Sequence, residues 1–536
     1  MAMKLYGLPM STCTTRVMAC LHEKGADFEL VPVNLGTGEH KQPPFLSKNK
    51  MAMKLYGLPM STCTTRVMAC LHEKGADFEL VPVNLGTGEH KQPPFLSKNP
   101  FGQIPVLEDG DLTLFESRAI TAYVAEKCKE TGTDLMRHKS PKEAAMVKVW
   151  MEVESQTFNP AISPVVMEYV IGPSMGKKTE QAVVDACMGK LGNVLDVYES
   201  RLSMCKYLAG DFYSMADLHH LSYMHYFMTT PCASMVKDRP HVMAWWQDIS
   251  SRPAFKKMVG AMTFVNLDAG EKKKKACLSM NAIVANWVDV EGLQFEPPAT
   301  KLIFEIVIKP NNGLAPDQGV KMTIKIYGVP ISTCTARATA CLYEKGVDFE
   351  LVLINFFGGE HKQPAFLSKN PFGQIPALED GDLTLFESRA ITAYVAEKFK
   401  EPGTDLIRHN NLKEAALVKV WIQVESQSFD PAITPIVLEY VLAPMKGKTA
   451  DQAVIDANLV KLEKVLDVYE SRLSSTKYLA GDFYSLADLH HYPYTHYFMT
   501  TPWASLVNDR PHVKAWWEDI SSRPSYKKMA EAIASG

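Results

Sequence analysis

Two internal repeats constrain the fold of this chain more than any other feature of its sequence. Residues 1–49 are identical to residues 51–99. A longer repeat relates residues 51–265 to residues 322–536 at a constant spacing of 271 positions. The constant spacing means that no residue is inserted between these copies, so both should adopt one fold around equivalent cores. At 536 residues the chain is too long for a single core, which predicts several domains.

The first zone of each long copy alternates predicted strands and helices. In the first copy, a short apolar strand at residues 54–58 is followed by Ser61 and Thr62, which can cap a helix. A second strand is predicted within residues 78–85, and an Asp-Gly pair further on signals a hairpin before a helix near residues 116–127. The order is βαβ followed by ββα. It predicts a thioredoxin-like α/β domain.

The second zone of each copy is predicted to be helical throughout. Ser140-Pro141 with an acid at position 143 is a strong helix start, and Ser214 with Asp217 forms another capping pattern. The predicted fold class is therefore an α/β thioredoxin-like domain followed by an all-α domain, repeated twice in tandem. The thioredoxin-like domains are predicted at residues 51–130 and 322–401, and the all-α domains at residues 131–265 and 402–536.

Two segments fall outside this scheme. Residues 266–321 have no repeat partner and are predicted to be a linker or insert of uncertain order. Residues 1–50 carry only the βαβ half of the first domain, so their Ser11 should be inactive. Pairing this fragment with residues 100–130 would loop out about 50 residues at a cost of roughly 3–4 kcal/mol, so the contiguous copy should win. Met1, Met51 and Met322 stand at equivalent positions, which raises the hypothesis of a gene-model fusion.

Net charge, the lengths of apolar runs and the cysteine pattern indicate which partners and which cellular compartment to expect. A formal net charge of −3 gives no electrostatic reason to expect nucleic acid or an anionic membrane as a partner. The sequence contains no apolar run long enough to span a bilayer and no signal-peptide pattern at its start, so we expect a cytosolic protein. Four cysteines of the first copy are replaced in the second, which argues against structural disulfides; they are Cys128, Cys187, Cys205 and Cys232.

The first chemical motif is a serine at a helix start. A Ser61 hydroxyl there, together with the helix dipole, offers a thiolate one hydrogen bond and positive potential. Lowering a thiol pKa by two requires roughly 2.7 kcal/mol, and a charge-assisted hydrogen bond of about 1.5–3 kcal/mol is of that size. Taken alone, the motif favours the simpler interpretation of Ser61 as a helix N-cap.

Two further motifs favour a binding site for an extended peptide. Residues 99–105, Asn-Pro-Phe-Gly-Gln-Ile-Pro, place Pro105 at the head of a strand, which predicts a special turn, with a cis peptide bond, whose backbone groups can pair with a peptide. Glu116 and Ser117 then stand where a helix begins. There, backbone N–H groups can bind a carboxylate while the Glu116 carboxylate binds an ammonium. A γ-glutamyl group is a ligand of this kind, because it carries both charges on one carbon.

Together with Gly-Glu-His-Lys at residues 88–91, these motifs resemble the glutathione transferases, and the phi class of plants in particular. The resemblance covers nearly all of both long copies. It implies that Ser61 and Ser332 are the catalytic serines. It also implies that glutathione is held by Thr62, His90, Lys91, Gln103, Ile104, Pro105, Glu116 and Ser117 in the first copy, and by Thr333, His361, Lys362, Gln374, Ile375, Pro376, Glu387 and Ser388 in the second.

The position of the electrophile pocket follows from the same resemblance. Candidate lining residues are Met60, Phe158 and Ile162 in the first copy, and Ile331, Phe429 and Ile433 in the second. Core packing is an equally good interpretation of these six. The adjacent pair His219 and His220 points to different helix faces, so we expect a structural role and no metal site. Cys63 lies near the same helix start as Ser61, which leaves a thioltransferase role as a minor hypothesis.

The resulting prediction is an enzyme that conjugates the glutathione thiolate to small hydrophobic electrophiles in detoxification or stress responses, with glutathione peroxidase activity as a possible secondary function. Glutathione is a co-substrate, and no cofactor or metal is expected. Two alternatives stay open: a ligandin that carries flavonoid-like ligands without chemistry, and an inert fusion product. The resemblance also implies dimer-type pairing, either between the two copies of one chain or between chains.

Overall fold

Each long copy folds into a four-stranded sheet followed by a helical domain. The computed structural model describes residues 3–8, 11–34, 37, 39, 52–174, 176–262, 323–401, 403–445 and 447–535. The predicted insert at 266–321 lies outside the described residues. We call residues 52–262 the first unit and residues 323–535 the second unit.

The strands of the front fragment and of both units follow the predicted order. They are β1 (Met3–Gly7), β2 (Phe28–Pro32), β3 (Met53–Gly57), β4 (Phe78–Pro82), β5 (Val106–Asp109), β6 (Leu112–Phe115), β7 (Ile324–Gly328), β8 (Phe349–Leu353), β9 (Ala377–Asp380) and β10 (Leu383–Phe386). The first sheet has the order β4-β3-β5-β6 and the second β8-β7-β9-β10. β3 pairs with β4 in parallel, whereas β5 runs antiparallel to β3 and to β6. The thioredoxin-like prediction is confirmed.

Helices make up the rest of each unit. In the first 262 residues they are α1 (Thr12–Glu23), α2 (Thr62–Glu73), α3 (Pro93–Leu96), α4 (Ser117–Lys127), α5 (Pro141–Val153), α6 (Asn159–Val166), α7 (Gln181–Leu202), α8 (Met215–Phe227), α9 (Ser234–Lys237), α10 (Pro240–Ser251) and α11 (Pro253–Ala261). In the second unit they are α12 (Thr333–Glu344), α13 (Pro364–Leu367), α14 (Ser388–Lys398), α15 (Leu412–Val424), α16 (Asp430–Val437), α17 (Gln452–Leu473), α18 (Leu486–Leu489), α19 (Tyr492–Phe498), α20 (Ser505–Asn508), α21 (Pro511–Ser521) and α22 (Pro524–Ser535). Wider π-helical turns follow α5, α6, α15 and α16 at Glu154–Phe158, Met167–Ile171, Glu425–Phe429 and Leu438–Leu442.

The helix starts have the physical causes that the sequence suggested. Ser140 caps α5 by accepting a hydrogen bond from the Glu143 N–H at 3.3 Å. Ser214 and Asp217 form a capping box at the start of α8. The second unit divides the equivalent of α8 into α18 and α19, because Pro493 stands where Ser222 stands and has no backbone N–H to donate.

The duplicated front fragment does not enter the first unit's sheet. β1 and β2 pair with each other in parallel and form a separate two-stranded sheet. Val17 is 44% exposed in the fragment, whereas its identical copy Val67 is fully buried. The contiguous copy therefore forms the sheet, as the loop-closure argument predicts.

The two units contact each other through reciprocal surfaces. Helix α5 of the first unit packs against α14 and β10 of the second, and α15 packs against α4 and β6 in return. Lys142 pairs with Asp382 at 2.7 Å and Lys413 with Asp111 at 2.5 Å. Such reciprocity is the pattern of a two-fold interface, here within one chain.

Aromatic and amide side chains occupy the middle of this surface. Trp150 meets Phe386 edge to face with ring centres 6.1 Å apart, and Trp421 meets Phe115 at 6.3 Å. Gln156 donates to Ser426 Oγ at 2.7 Å.

No helix in the described parts of the chain is long and apolar enough to cross a membrane.

Candidate active site

Both predicted catalytic serines cap a helix directly after the first strand of their unit. Ser61 Oγ accepts a hydrogen bond from the Thr64 N–H at 3.3 Å, and Ser332 Oγ accepts one from the Thr335 N–H at 3.4 Å. Among the described residues, neither hydroxyl hydrogen has an acceptor. Each serine can therefore donate to a ligand while the start of its helix supplies positive potential.

The proline turn carries a cis peptide bond in both units, at Ile104–Pro105 and Ile375–Pro376. Asn99 Nδ2 holds the turn by donating to the Gln103 carbonyl at 2.7 Å. Gln103 itself is exposed and Ile104 half-buried, so their backbone groups lie near the surface.

A glycine allows residues 88–91, which we call the basic segment, to pack closely against this turn. Gly102 has a φ of 57°, and a Cβ there would lie 2.7 Å from the His90 carbonyl oxygen, so only glycine fits. Lys91 Nζ donates to the Phe101 carbonyl at 3.0 Å, and Lys362 repeats this contact with Phe372 in the second unit. The basic residues thus stand beside the turn in both units.

The two histidines of these basic segments have an unused ring nitrogen. Nδ1 of His90 and Nδ1 of His361 are buried without a hydrogen-bond partner among the described residues. In the second unit, the Phe356 ring stacks on His361 at 4.3 Å. Burial and the nearby Lys362 lower the pKa of His361.

The acid–serine pair lies at the start of the helix that follows the hairpin. Glu116 and Glu387 adopt the left-handed backbone region, with φ of 65° and 66°, which few non-glycine residues do. Burial raises the pKa of the Glu116 carboxyl. Burial, with a smaller contribution from the carboxyl of Glu152 in the first unit, raises the pKa of Glu387 to about 7, although Arg389 and Arg337 oppose the increase.

A buried ionic network supports the acid–serine pair. Arg66 Nη1 donates to Ser117 Oγ at 2.8 Å, and Arg66 Nη2 contacts Glu154 at 3.1 Å. Arg118 binds both oxygens of Glu154 at 2.9 and 3.1 Å. Burial alone would raise the pKa of Glu154, but Arg118 and Arg66 outweigh it and lower the pKa to about 2. The network ties the thioredoxin-like domain to the helical domain directly behind the site.

One cavity of about 490 Å³ in the second unit unites the sequence motifs. The predicted residues that line it are Ile331, Ser332, Thr333, His361, Lys362, Gln374, Ile375, Pro376, Glu387 and Ser388. Gln156 and Thr157 of the first unit also line it, which sequence reasoning did not foresee. The equivalent residues of the second unit are Gln427 and Ser428, which lie in the corresponding π-helical turn.

Four of the six predicted electrophile-pocket residues pack in the core, and their assignment is corrected here. Phe158 and Ile162 are fully buried, and Phe429 and Ile433 are 3% and 1% exposed. Phe158 stacks on Tyr198 with ring centres 5.8 Å apart. No ligand can reach side chains with so little exposed surface.

The apolar wall of the cavity comes instead from residues one to three turns later in the same helical stretch, from two loops and from helix α19. They are Val329, Phe356, Phe357, Val437, Leu438, Val441, Leu442, Tyr494 and Tyr497. Leu438 is 43% exposed and Phe357 74% exposed. A sequence signal did exist, since the run at residues 436–442 is apolar except for one glutamate and therefore lacks a polar face for solvent.

A tyrosine from the helical domain fixes the residue before each serine. Tyr226 OH donates to the Met60 carbonyl at 2.7 Å, and Tyr497 OH donates to the Ile331 carbonyl at 2.8 Å. These contacts join residues 166 positions apart, so no local pattern predicts them. The hydrogen bond thus fixes the backbone of Met60 directly before Ser61.

The remaining candidates have structural environments. His219 Nε2 lies 2.9 Å from Thr121 Oγ1, and His220 Nε2 lies 2.9 Å from Tyr198 OH, each in the core. No group of three or more potential metal ligands occurs among the described residues. Cys63 Sγ lies 3.8 Å from Arg66 Nη1, and its counterpart Cys334 lines the cavity.

Comparison with known families and proteins identifies the family. The model of the glutathione S-transferase N-terminal domain matches residues 1–52, 51–126 and 322–397, and that of the C-terminal domain matches residues 158–253 and 433–524. Glutathione S-transferase F13 of Arabidopsis thaliana is 56% identical over 212 residues, which are 40% of this chain and 97% of the relative. The probable glutathione S-transferase GSTF1 of Oryza sativa subsp. japonica is 53% identical over 39% of this chain and 97% of the relative.

Among solved structures, the crystal structure of glutathione transferase F7 from Populus trichocarpa shares 66% sequence identity, with 40% of this chain and 100% of that chain covered and a TM-score of 0.39. Each relative matches one unit at nearly its full length. With both domain models repeated in order and relatives above 50% identity, the chain belongs to the glutathione S-transferase family.

Proposed function

We propose that both units are glutathione transferases, which join the glutathione thiolate to small hydrophobic electrophiles. The observation that carries this proposal is that one cavity of the second unit is lined by the serine, the basic segment, the proline turn and the acid–serine pair together. The first unit repeats each of these elements with matching hydrogen bonds.

The charges around the cavity match the two ends of the tripeptide. His361 and Lys362 stand ready for the glycyl carboxylate, and the backbone at Gln374 and Ile375 for the cysteinyl group. Glu387 and Ser388, at the start of α14, suit the ammonium and carboxylate of the γ-glutamyl end. With both ends held, the cysteinyl sulfur lies between them, on the side of Ser332.

The reaction requires a thiolate, which forms when the glutathione thiol releases its proton to solvent and which the serine stabilises. The Ser332 hydroxyl donates one hydrogen bond to the sulfur, and α12 adds the positive potential of its start. The sulfur then attacks an electrophilic carbon, a carbon–sulfur bond forms, and in a substitution the leaving group departs with its electron pair. The wall around Leu438 and Tyr494 holds the apolar body of the electrophile. The chemistry needs glutathione as co-substrate, without a resident cofactor or metal.

We further infer that the two units act as the paired protomers of one chain. The reciprocal ion pairs Lys142–Asp382 and Lys413–Asp111, with the buried tryptophan–phenylalanine contacts, support this internal pairing. A reducing compartment such as the cytosol is favoured because the cysteines in the described segments are free thiols.

The test uses Ser61→Ala, Ser332→Ala and the double variant in a conjugation assay with glutathione and a generic aryl halide. Each single variant should keep the activity of the unmodified unit, and the double variant should lose at least about tenfold in kcat/KM at pH 7, since one charge-assisted hydrogen bond is worth about 1.5–3 kcal/mol. Cys63→Ser with Cys334→Ser is the matched control and should stay active. A double serine variant with full turnover would reject the mechanism, and tight dye binding without turnover in the unmodified protein would support the carrier function instead.

A further inference from the structure

One helical stretch of the second unit, residues 430–442, forms a wall of its cavity and is tied down at both ends. It comprises α16 and the π-helical turn that follows, and we call it the second wall. At its start, Asp430 Oδ2 accepts a hydrogen bond from Arg389 Nη2, and Thr434 Oγ1 donates to Asp430 Oδ1 at 2.7 Å. Asp430 lines the cavity, so this charge-assisted bond fixes the wall to α14 of the thioredoxin-like domain beside the site.

A pair of aromatic rings holds the other end of the second wall. Tyr440 lies in the π-helical turn and meets Trp503 edge to face, with ring centres 5.2 Å apart. Trp503 belongs to a short turn directly before α20, so the contact joins the wall to a separate part of the helical domain. Such ring pairs are favourable beyond the apolar area that they bury, so this end of the wall is held as well.

The first unit's equivalent stretch, residues 159–171, lacks the ion pair at its start; we call this stretch the first wall. Asn159 stands where Asp430 stands, and its Oδ1 has no hydrogen-bond partner among the described residues. An amide carries no charge, so it cannot form an ion pair with Arg118, the counterpart of Arg389. Arg118 binds Glu154 of the preceding π-helical turn instead.

The far end of the first wall is also held differently. Cys232 stands where Trp503 stands, so that position offers Tyr169 no ring to pack against. Tyr169 OH donates to Gln181 Oε1 at 3.1 Å, and this contact is exposed. Because water competes for an exposed hydrogen bond, the contact fixes the first wall less firmly than a ring pair does.

The side chains at equivalent places differ in the same direction. Leu438 and Ile331 line the second cavity, whereas the first unit has Met167 and Met60 at these two positions. Methionine is unbranched, with three rotatable bonds and a polarisable sulfur, so it adapts to ligands of different shape. Isoleucine is stiff at its first side-chain torsion. The first site therefore combines adaptable side chains with a weakly tied wall, and the second site combines stiff side chains with a fixed wall.

The fixed wall of the second unit shares its cavity with aromatic side chains. Phe356 and Tyr494 line this cavity, and the Phe356 ring stacks on His361 with ring centres 4.3 Å apart. Leu85 takes the place of Phe356 in the first unit. Aromatic rings bind other rings through offset stacking and edge contacts, so a planar aromatic electrophile fits the second cavity without movement of the wall.

We propose that the two units of this chain differ in electrophile specificity: the second site is selective for planar aromatic electrophiles, and the first site accepts aliphatic electrophiles as well. Asp430 and Trp503 determine this specificity by holding the second wall in one position. A surface that cannot rearrange discriminates against substrates that fit poorly, whereas an adaptable surface binds many shapes. This inference rests on the proposed function and deepens it by naming the class of electrophile for each site.

Conjugation kinetics of the full chain test the proposal with two electrophiles, a dinitrophenyl halide and a straight-chain α,β-unsaturated aldehyde. Ser61→Ala isolates the second site, and Ser332→Ala isolates the first. The measured quantity is the selectivity ratio, which is kcat/KM for the halide divided by kcat/KM for the aldehyde. A general loss of stability lowers both values and leaves their ratio unchanged, so the ratio reports on the wall and not on folding.

Exchanging the ties between the units should exchange part of the selectivity. Asp430→Asn with Trp503→Cys gives the second wall the residues of the first and is measured on the isolated second site. The reciprocal pair, Asn159→Asp with Cys232→Trp, is measured on the isolated first site. We expect the second site's ratio to exceed the first site's by at least about fivefold before exchange. The first pair should lower the second site's ratio at least about threefold, and the reciprocal pair should raise the first site's ratio by a similar factor.

Hydrogen exchange supplies a second readout. Backbone amides of residues 437–442 should exchange faster in Asp430→Asn with Trp503→Cys than in the unmodified chain, since the ties oppose local opening. Equal selectivity ratios at the two sites, or ratios and exchange rates that neither pair of substitutions changes, would overturn the proposal. If neither site conjugates either electrophile, the proposed function fails as well, which is a distinct result. Should the second-unit variant not fold, the reciprocal pair in the first unit decides the matter.

Discussion

Replacing Glu154 is the most stringent test of how the site is supported. The carboxylate is fully buried and forms ion pairs with Arg118 and Arg66, and Arg66 also donates a hydrogen bond to Ser117. Its pKa of about 2 lies below the ordinary 4.5, and a tenfold change in an acid constant is worth about 1.4 kcal/mol, so the ionised form gains about 3 kcal/mol from folding. Glu154→Gln should therefore destabilise the first unit by about 3 kcal/mol at pH 7, within the range for breaking a buried ion pair.

The pH dependence of this effect has a defined direction. Because the pKa of Glu154 is lower in the folded state than in the unfolded state, its contribution is fully present above pH 4.5. It is lost as the pH falls toward 2, where the carboxylate becomes protonated in both states. The stability difference between the unmodified protein and Glu154→Gln should therefore shrink across that window.

The assay follows loss of conjugation activity in urea, in a Ser332→Ala background, so that only the first unit is observed. With a urea dependence of about 1–3 kcal/mol per molar, Glu154→Gln should lower the midpoint by about 1 M or more. Glu143→Gln removes the partly exposed pair with Arg137 and is the matched control, expected to cost less than about 1 kcal/mol. If both variants lose activity at the same urea concentration, the supporting role of the network is refuted. Glu154→Gln should also raise the KM for glutathione, since Arg66 no longer holds Ser117 as firmly.

Three further outcomes are expected. Tyr226→Phe, again with Ser332→Ala, should lower kcat/KM by up to about tenfold, since one hydrogen bond of about 0.5–1.5 kcal/mol to the Met60 carbonyl is lost. An unchanged kcat/KM would show that other contacts hold the backbone before Ser61. The double variant Phe356→Leu with Phe357→Gly reproduces the first unit's Leu85-Gly86. In a Ser61→Ala background it should raise the KM for bulky aromatic electrophiles and change the KM for a small aryl halide little, because both rings line the cavity. Equal changes for both substrates would contradict a role of these rings in electrophile binding. Cys63→Ser should leave conjugation within about twofold, because the partly exposed thiol makes only a long contact to Arg66 Nη1, at 3.8 Å; a larger loss would favour the thioltransferase hypothesis.

Local features of the site could be predicted because each depends on a few consecutive residues. A serine before an apolar helix predicts a cap, and Ser332 is one; a proline at the head of a strand predicts a special turn, and Pro376 follows a cis bond. The electrophile wall could not be predicted in the same way. Phe429 and Leu438 are both apolar residues of one helical stretch, and only the packing of α16 against α17 and α19 buries the former and leaves the latter facing the cavity.

Contacts between distant segments were equally invisible. Tyr497 reaches the residue before Ser332 across 166 positions, and Gln156 reaches the second cavity from the other unit. Both depend on how folded domains dock, which no local pattern encodes.

The duplication of residues 1–49 as residues 51–99 shows most clearly which features depend on local sequence and which depend on tertiary structure. The sequence by itself determines the local structure of both copies, since residues 12–23 and 62–73 form the same helix with the same serine cap. The local sequence cannot distinguish their environments, because the residues are identical; only their position along the chain does. Val67 is buried under the sheet and Val17 lies exposed, since only the copy that continues directly into β5 and β6 avoids the entropy of looping out the other.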